Sequence, residues 1–379
     1  MKLLHLADLH LGKRVNEFSL LADQRHVLEQ ALALADRHAV DAVLLAGDLY
    51  DKPVPPAEAV ELLDWFLTAL TRAGHKVLAV SGNHDSPERL SFASGLLCDS
   101  GVYIAGEYGG APLRITLEDE WGPVDFTLLP FVKPAVLAPF ADERPKNADE
   151  AAAAALAALP PLSGRRNVLV AHQFVTAGGA APSLCDSEIA PVGGADNVDA
   201  ARFDGYDYVA LGHLHGPQRI GRETVRYAGS PLKYSFSEAR HHKSAPLITL
   251  GAPGSLSLEL LPLQPLHDLR EVRGPLQVLL DPANVADPDD YMHVTLTDEE
   301  ELMDAVGRVR AVYPNLMKLD FDNRRTRAAG GQTAAAEVER KSVPQLFDEF
   351  FELMNGGGMS DSQRELFAAA LRASGGDEP

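Results

Sequence analysis

The sequence repeats one pattern, a short apolar run that leads directly to Asp, Asn or His. The first run, residues 3–6, leads to Asp8 and His10. Four more runs have the same form: 42–46 before Asp48, 76–80 before Asn83 and His84, 167–170 before His172, and 208–211 before His213 and His215. Short apolar runs bounded in this way are typical of buried β-strands.

The segments between these runs predict how the strands are arranged. Residues 20–38 and 57–72 carry apolar side chains at helical spacing, so the chain opens with a β-α-β alternation. This alternation predicts a sheet whose strands run mostly parallel. The carboxyl ends of parallel strands share one edge of the sheet, so we expect the polar residues from 8 to 215 to converge in one crevice.

The second half of the chain predicts further units. The pattern of 1–265 is that of one large domain, and 266–323 predicts a compact β-β-α-β domain. Residues 324–340 are polar and rich in Gly and Ala, which predicts a flexible linker. Residues 341–379 predict two short helices, about 343–354 and 360–373. Their many apolar positions indicate packing against the rest of the chain or against a partner, because helices this short do not persist alone in water.

Composition and charge narrow the class of protein. Of 379 residues, 46% are hydrophobic and 23% charged, as in an ordinary soluble globular protein. The formal net charge of −20 argues against a broad basic face that grips nucleic acid, although bound cations would reverse the local sign of an acidic site. The two cysteines do not form a disulfide framework. No apolar stretch reaches the ~18 residues of a membrane span, so we expect a cytoplasmic protein without membrane contact.

The polar residues at the strand ends suit divalent metal ions. Carboxylate and imidazole ligands can hold two ions ~3.5–4 Å apart, which together stabilise an in-line displacement at phosphorus. Asp48 is the natural bridging carboxylate. Taken singly, Asp8 is more often a helix cap and Asn83 a turn residue, but five such clusters at equivalent strand ends favour a site. The six histidines outside the pattern receive no role: His5, His26, His38, His75, His241 and His242.

Five short motifs occur in a fixed order. They are Asp8-Leu9-His10, Gly47-Asp48, Gly82-Asn83-His84-Asp85, Ala171-His172 and Gly212-His213-Leu214-His215. In combination they resemble the signature of the calcineurin-like metallophosphoesterases, whose α/β fold is a β-sandwich flanked by helices. Residues 8–12, 47–51 and 227–232 further resemble the SbcD family, bacterial nuclease subunits of complexes that process DNA double-strand breaks.

The resemblance implies a site and a reaction. One metal ion would be held by Asp8, His10, Asp48 and His215, and the other by Asp48, Asn83, His172 and His213. The ions would be Mn²⁺, with Mg²⁺ as the alternative. His84 would protonate the leaving oxygen or stabilise the transition state, and Asp85 is a candidate to orient His84. The expected activity is exonuclease and endonuclease cleavage of DNA in double-strand break and hairpin processing.

The resemblance also implies partners. Residues 270–321 would form a capping domain that positions DNA, and the C-terminal helices would dock on the ATPase SbcC. Family members commonly form homodimers. Two other interpretations remain: a small-molecule phosphodiesterase or phosphatase of the same superfamily, and a non-catalytic scaffold. The first leaves the small domain and the C-terminal helices unexplained. The second is disfavoured because all seven candidate ligands and His84 are present.

Overall fold

The structure is a computed structural model, and it describes residues 1–162, 164–180, 182–188, 194–330, 344, 347–348, 350–352 and 358–373. Its strands are, in chain order, β1 (Lys2–Leu6), β2 (Arg14–Val15), β3 (Phe18–Ser19), β4 (Ala42–Ala46), β5 (Lys76–Val80), β6 (Val102–Ala105), β7 (Leu113–Asp119), β8 (Gly122–Leu129), β9 (Arg166–His172), β10 (Phe174–Thr176), β11 (Asn197–Asp199), β12 (Tyr208–Gly212), β13 (Gln218–Ile220), β14 (Arg222–Tyr227), β15 (Ser244–Leu250), β16 (Leu256–Pro262), β17 (Leu269–Gly274), β18 (Tyr291–Leu296) and β19 (Leu316–Phe321).

The helices vary widely in length. They are α1 (Leu21–His38), α2 (Ala57–Arg72), α3 (Pro87–Leu90), α4 (Ser94–Leu97), α5 (Pro134–Leu137), α6 (Ala148–Ala157), α7 (Leu276–Leu279), α8 (Ala305–Arg310), α9 (Arg324–Gly330) and α10 (Asp361–Ala373), with short 3₁₀ turns at Cys98–Ser100, Ala200–Phe203 and Phe236–Glu238. Within the described part of the chain, no helix is both long and apolar enough to cross a membrane.

Two six-stranded sheets form the main domain. The first has the order β16-β15-β1-β4-β5-β6, and β1, β4, β5 and β6 run parallel within it. The second has the order β13-β14-β12-β9-β8-β7, and β14, β12, β9 and β8 run parallel. Strands β4 and β12 are buried along their whole length, as expected for parallel sheets that are covered on both faces.

The core has three layers that hold the two sheets in place. Between the sheets, the apolar side chains of β1, β4 and β5 pack against those of β8, β9 and β12. Helices α1 and α2 cover the outer face of the first sheet, and α6 covers the outer face of the second. The result is a β-sandwich flanked by helices, so the predicted fold class is confirmed. The parallel strands of both sheets end at the same side of the sandwich.

The small domain differs in detail from the predicted β-β-α-β order. Strands β17, β18 and β19 form a parallel sheet, and α7 and α8 connect them, which gives β-α-β-α-β. The sequence predicts one strand over 267–280, but Pro275 stands before α7 and Leu276 N–H donates to Asp298 Oδ2 at 2.8 Å. A crossover between parallel strands needs such a connecting segment. Helix α8 is also shorter than the predicted 299–312.

The predicted flexible linker begins with a helix, α9. Asn323 caps its first turn, because Thr326 N–H donates to Asn323 Oδ1 at 3.1 Å and Thr326 Oγ1 accepts from Asn323 N–H at 2.9 Å. This reciprocal cap outweighs the polar composition of the segment. Residues 331–340 lie outside the described residues, as does much of the predicted helix 343–354. The predicted helix 360–373 corresponds to α10.

Candidate metal centre

The eight predicted side chains come together at the shared end of the parallel strands. Asp8 and His10 follow β1, Asp48 follows β4, Asn83 and His84 follow β5, His172 ends β9, and His213 and His215 follow β12. Because β1, β4 and β5 belong to one sheet and β9 and β12 to the other, the site lies across the edges of both sheets. The stacking of the two sheets therefore decides which residues meet.

The backbone at this edge adopts an unusual conformation. Asp8, His10, Asp48 and His213 all have positive φ, at 54°, 43°, 50° and 115°. Side chains other than glycine rarely occupy this region unless other contacts hold them there. Here backbone hydrogen bonds link the loops, from Asp8 N–H to Gly47 O at 3.1 Å and from His10 N–H to Asp48 O at 2.9 Å. The strained conformation turns several ligand-type side chains toward one point.

The glycines that precede the polar residues allow the loops to approach closely. A Cβ atom on Gly212 would lie 1.8 Å from Ala46 O, and one on Gly82 would lie 2.1 Å from Asp48 Oδ1. A Cβ on Gly47 would lie 2.3 Å from His172 Nδ1. Such distances exclude any side chain at these positions, so these glycines are part of the site.

One group of ligand atoms surrounds His10. Its Nε2 lies 3.1 Å from His215 Nε2 and 3.6 Å from Asp48 Oδ2, and Asp8 lies within reach of both histidines. All four side chains are buried. Buried carboxylates and imidazoles at these separations are a suitable ligand set for a divalent cation.

A second group surrounds His172 and shares Asp48 with the first. His172 Nε2 lies 3.0 Å from Asn83 Oδ1 and 3.3 Å from Asp48 Oδ2. His213 Nδ1 lies 2.8 Å from the same Asn83 oxygen. The side chains of Asn83 and His213 are more exposed than the rest, so this group faces the open side of the site.

The hydrogen-bonding of these side chains shows that they suit a metal ion. His172 Nδ1 lies 2.9 Å from Ala46 O, and a carbonyl oxygen only accepts, so Nδ1 carries the proton. In the neutral ring, Nε2 then presents a lone pair toward the oxygens of Asn83 and Asp48, which are acceptors too. Asp8 Oδ2 is buried and has no hydrogen-bond partner among the described residues. Acceptors that face one another without a donor are satisfied by a cation.

The pKa values of the buried ligands indicate where a positive charge is favoured. Burial raises the pKa of Asp8 to about 7 and lowers that of His10 to about 4. Burial opposes ionisation of Asp48, but His172, His10 and His84 outweigh it and hold the pKa of Asp48 far below its usual range. Burial likewise opposes the charge on His172, yet the Asp48 carboxylate raises the pKa of His172 to about 9, so in the metal-free protein a proton on Nε2 takes the place that a cation would fill. A positive charge is therefore favoured beside Asp48, where the two groups meet.

His84 lies on the open side of the site and is held by the backbone. The backbone N–H of His84 donates to Asp48 Oδ1 at 2.9 Å, and the ring atom Nδ1 lies 3.1 Å from Asp51 O. Nδ1 therefore carries a proton, and Nε2 remains available. The expectation that Asp85 orients His84 is wrong, because the Asp85 carboxylate accepts the backbone N–H groups of Leu49, Tyr50 and Gly82. The side chains of His84 and Asp85 point in different directions because the loop is tight, and the Asp85 carboxylate holds the backbone of the loop.

Residues that the sequence motifs do not include support the ligands from behind. Gln24 Nε2 donates to the carbonyl oxygens of Leu9 and His10 at 3.2 and 2.7 Å, and the Tyr234 hydroxyl also reaches Leu9 O. Ser187 and Glu238 lie behind His215. Gln24 lies in the first turn of α1 in line with the apolar Val27, Leu28 and Ala31, and a polar residue on the apolar face of a predicted helix is the signal that could have identified it.

Two comparisons with protein families bear on the site and the small domain. Residues 1–217, which contain all eight side chains, match the family model described as calcineurin-like phosphoesterase. Residues 265–355 match an SbcD C-terminal model, described as Type 5 capsule protein repressor C-terminal domain.

A bacterial nuclease component is similar over nearly the whole chain. The SbcD component of the nuclease SbcCD from Staphylococcus epidermidis is 29% identical over 374 residues, covering 96% of each chain. Together with the two family models, this match confirms the resemblance to the SbcD family. A crystal structure of a dimetal phosphatase from Danio rerio has a TM-score of 0.40 and 13% identity, covering 69% of this chain and 96% of its own.

Proposed function

Because this chain belongs to the calcineurin-like phosphoesterase family, we propose that it is the nuclease component of an SbcCD-type complex. In this proposal it hydrolyses DNA phosphodiesters with two Mn²⁺ ions, as an exonuclease and endonuclease in the processing of double-strand breaks and hairpins. The observation that carries the proposal is the pair of ligand groups that share Asp48. Similarity to a nuclease component over 96% of both chains supports the choice of DNA as substrate.

The ligands are assigned from the two groups of atoms. Asp8, His10, Asp48 and His215 would hold one ion, and Asp48, Asn83, His172 and His213 would hold the other. Asp48 Oδ2 lies 3.6 Å from His10 Nε2 and 3.3 Å from His172 Nε2, so this carboxylate faces both groups. A shared carboxylate is what a closely spaced pair of ions requires.

The chemistry combines the ions with the side chains around them. When bound, the two ions would polarise the phosphodiester, activate water and offset the charge that develops on the phosphoryl oxygens. Asn83 would supply a neutral oxygen, which limits the negative charge that meets the substrate. The Nδ1 proton of His84 stays on Asp51 O, so with both ring nitrogens protonated it is the Nε2 proton that would pass to the leaving oxygen, and the neutral Nδ1–H ring would remain.

The charge of the chain affects how DNA is held. With a formal net charge of −20, the protein has no general attraction for a polyanion. The ions would attract DNA at the site itself, and the small domain, β17 to β19, would help to position the duplex.

We further propose that the ATPase SbcC is the partner of this protein and makes many of the contacts that bind DNA. Residues 341–379 would dock on SbcC. The protein would be a cytoplasmic homodimer.

Two substrates test the proposed activity. With Mn²⁺, the protein should cleave linear duplex DNA and also bis-p-nitrophenyl phosphate. Hydrolysis of the small ester without DNA cleavage, even with the ATPase partner added, would indicate a small-molecule phosphodiesterase. Inactivity on both substrates would indicate a scaffold.

A truncation tests the partner assignment. A chain that lacks 341–379 should retain Mn²⁺-dependent cleavage but no longer bind the partner. Partner binding that survives the deletion would contradict the assignment.

A further inference from the structure

A buried ion pair lies directly behind His215. Lys243 Nζ contacts Glu238 Oε2 at 2.6 Å, and both side chains are almost fully buried. The same ammonium donates to the backbone carbonyl of His215 at 2.9 Å. On the other carboxylate oxygen, Glu238 Oε1 accepts the Ser187 hydroxyl at 2.7 Å, and Ser187 Oγ lies 2.8 Å from His215 Nδ1. A continuous chain of contacts therefore joins Lys243 to the ring of His215.

The direction of the hydrogen bonds in this chain is fixed by chemistry. A carboxylate that is paired with an ammonium only accepts hydrogen bonds. Ser187 must therefore donate its one proton to Glu238, which leaves its oxygen lone pairs for His215. Nδ1 of His215 must then be the donor, because two acceptors would otherwise face each other. In the neutral ring, Nε2 consequently carries a lone pair, and it is Nε2 that lies 3.1 Å from His10 Nε2.

We propose that Glu238 is a positioning residue that acts through Ser187 to hold His215 in the tautomer whose Nε2 binds a metal ion. The inference rests on the proposed function, since it assigns a partner to one of the proposed ligands. Histidine ligands of metal ions commonly donate their other ring proton to a carboxylate or carbonyl, which fixes the orientation of the ring. Lys243 holds the carboxylate in its ionised form and also fixes the backbone of His215.

The ion pair also explains a second cluster of metal-type side chains. Cys185, Glu238 and His241 each offer a ligand atom, and these atoms lie within 4.8 Å of one another. A cation site at this position would compete with Lys243, whose ammonium already occupies Glu238 Oε2. The ammonium of Lys243 thus supplies the positive charge that the Glu238 carboxylate needs. The role of Glu238 in this cluster is therefore to position His215, and the cluster does not bind an ion of its own.

Two matched double variants test the proposal. Glu238→Leu with Lys243→Met removes both buried charges and the acceptor, and such replacements of buried ion pairs are often tolerated. Glu238→Gln with Lys243→Met removes the same charges but keeps an acceptor for Ser187. The backbone N–H of Tyr234 and the hydroxyl of Ser235 donate to Oε1 at 3.2 and 3.1 Å, and they favour the amide oxygen at that point.

Nitrogen-15 NMR of histidine-labelled, metal-free protein reports the tautomer of His215 directly. Wild type and the Gln/Met variant should show the Nδ1-protonated ring, whereas the Leu/Met variant should shift toward the Nε2-protonated ring. Titration with Mn²⁺ should show an affinity lower by about 10–100-fold in the Leu/Met variant at one of the two sites, with the Gln/Met variant close to wild type. Ser235→Ala, which removes another donor from the same oxygen, should change neither measurement.

Each outcome decides the matter. The proposal fails if both double variants behave alike, if the Leu/Met variant keeps the Nδ1-protonated ring, or if Ser235→Ala alters the tautomer. Wild-type protein that binds no Mn²⁺ would instead contradict the proposed function. The NMR comparison would still decide whether Glu238 sets the tautomer, because it uses metal-free protein.

Discussion

The phenol oxygen of Tyr291 lies 2.8 Å from Asp23 Oδ2, and this hydrogen bond joins the small domain to α1 of the main domain. His267 N–H donates to the other oxygen of Asp23 at 2.9 Å, and Asp23 is 1% exposed. The next residue, Gln24, holds the carbonyl oxygens of Leu9 and His10. One turn of α1 thus contacts both the small domain and the metal-centre loop.

Tyr291→Phe should loosen the small domain. The change removes a hydrogen bond to a buried carboxylate, which should reduce the free energy of docking by about 1.5–3 kcal/mol. Limited proteolysis should therefore cut the connector, residues 263–268, faster than in wild type. Tyr313→Phe is the control, because Tyr313 donates to Leu279 O within the small domain at 3.0 Å. Equal cutting rates for Tyr291→Phe and wild type would contradict the role of this contact.

Gly212→Ala should disrupt the meeting of the two sheets at the site. The added Cβ would lie 1.8 Å from Ala46 O, and that carbonyl would have to release His172 Nδ1. We expect the free energy of unfolding to fall by about 3 kcal/mol or more, since no flexible side chain can move aside. Chemical denaturation measures this loss. Gly95→Ala, which meets nothing within 4 Å, should be nearly neutral, and a similarly small effect at Gly212 would contradict the packing described.

His84→Gln should separate chemistry from metal binding. If His84 transfers a proton, its loss should lower the rate of DNA cleavage by about 10²–10⁴-fold. Metal content should stay at the wild-type level, because His84 is not among the proposed ligands. His26→Gln, on α1, is the control with the same chemical change and should remain active. Loss of metal in His84→Gln would make His84 a structural residue of the site.

Asp119 should contribute to stability in a pH-dependent manner. Arg166 Nη1 donates to Asp119 Oδ2 at 2.9 Å, and this guanidinium holds the pKa of Asp119 well below its usual range. A lowered pKa in the folded state stabilises the protein above the unfolded pKa of about 3.9. That stabilisation is lost as the pH falls through the lower folded value.

Asp119→Asn should therefore be less stable than wild type at pH 7, and the difference should shrink below about pH 4. Urea denaturation at several pH values measures it. Asp142 is exposed and forms no salt bridge among the described residues, so Asp142→Asn should match wild type throughout. A deficit in Asp119→Asn that is constant with pH would show that the ion pair is not its cause.

The ligand set was predictable because each signal is local. Asp48 follows a strand of contiguous apolar residues and Asp8 follows one that only His5 interrupts. The parallel arrangement of those strands brings their ends together. The residues that support His215 carry no such signal. Ser187 belongs to an irregular segment and Glu238 to a short 3₁₀ turn, and their contacts with His215 depend on how these distant segments meet.

The differences in detail have equally physical causes. Asp85 adjoins His84 in sequence, yet backbone N–H groups satisfy its carboxylate, because a tight loop sends successive side chains in different directions. The small domain was predicted without α7, since a helix of four residues is too short to show a helical period. Helix α9 depends on the cap at Asn323, which composition does not reveal.

Counting the metal ions in the purified protein tests the central claim most directly. After dialysis against Mn²⁺, elemental analysis should give two ions per chain for wild type and for the control Asp142→Ala. Asp48→Ala should lose both ions because its carboxylate faces both groups, and Asn83→Ala should weaken one of them. One ion or none in wild type, or two retained by Asp48→Ala, would contradict a metal pair that shares Asp48.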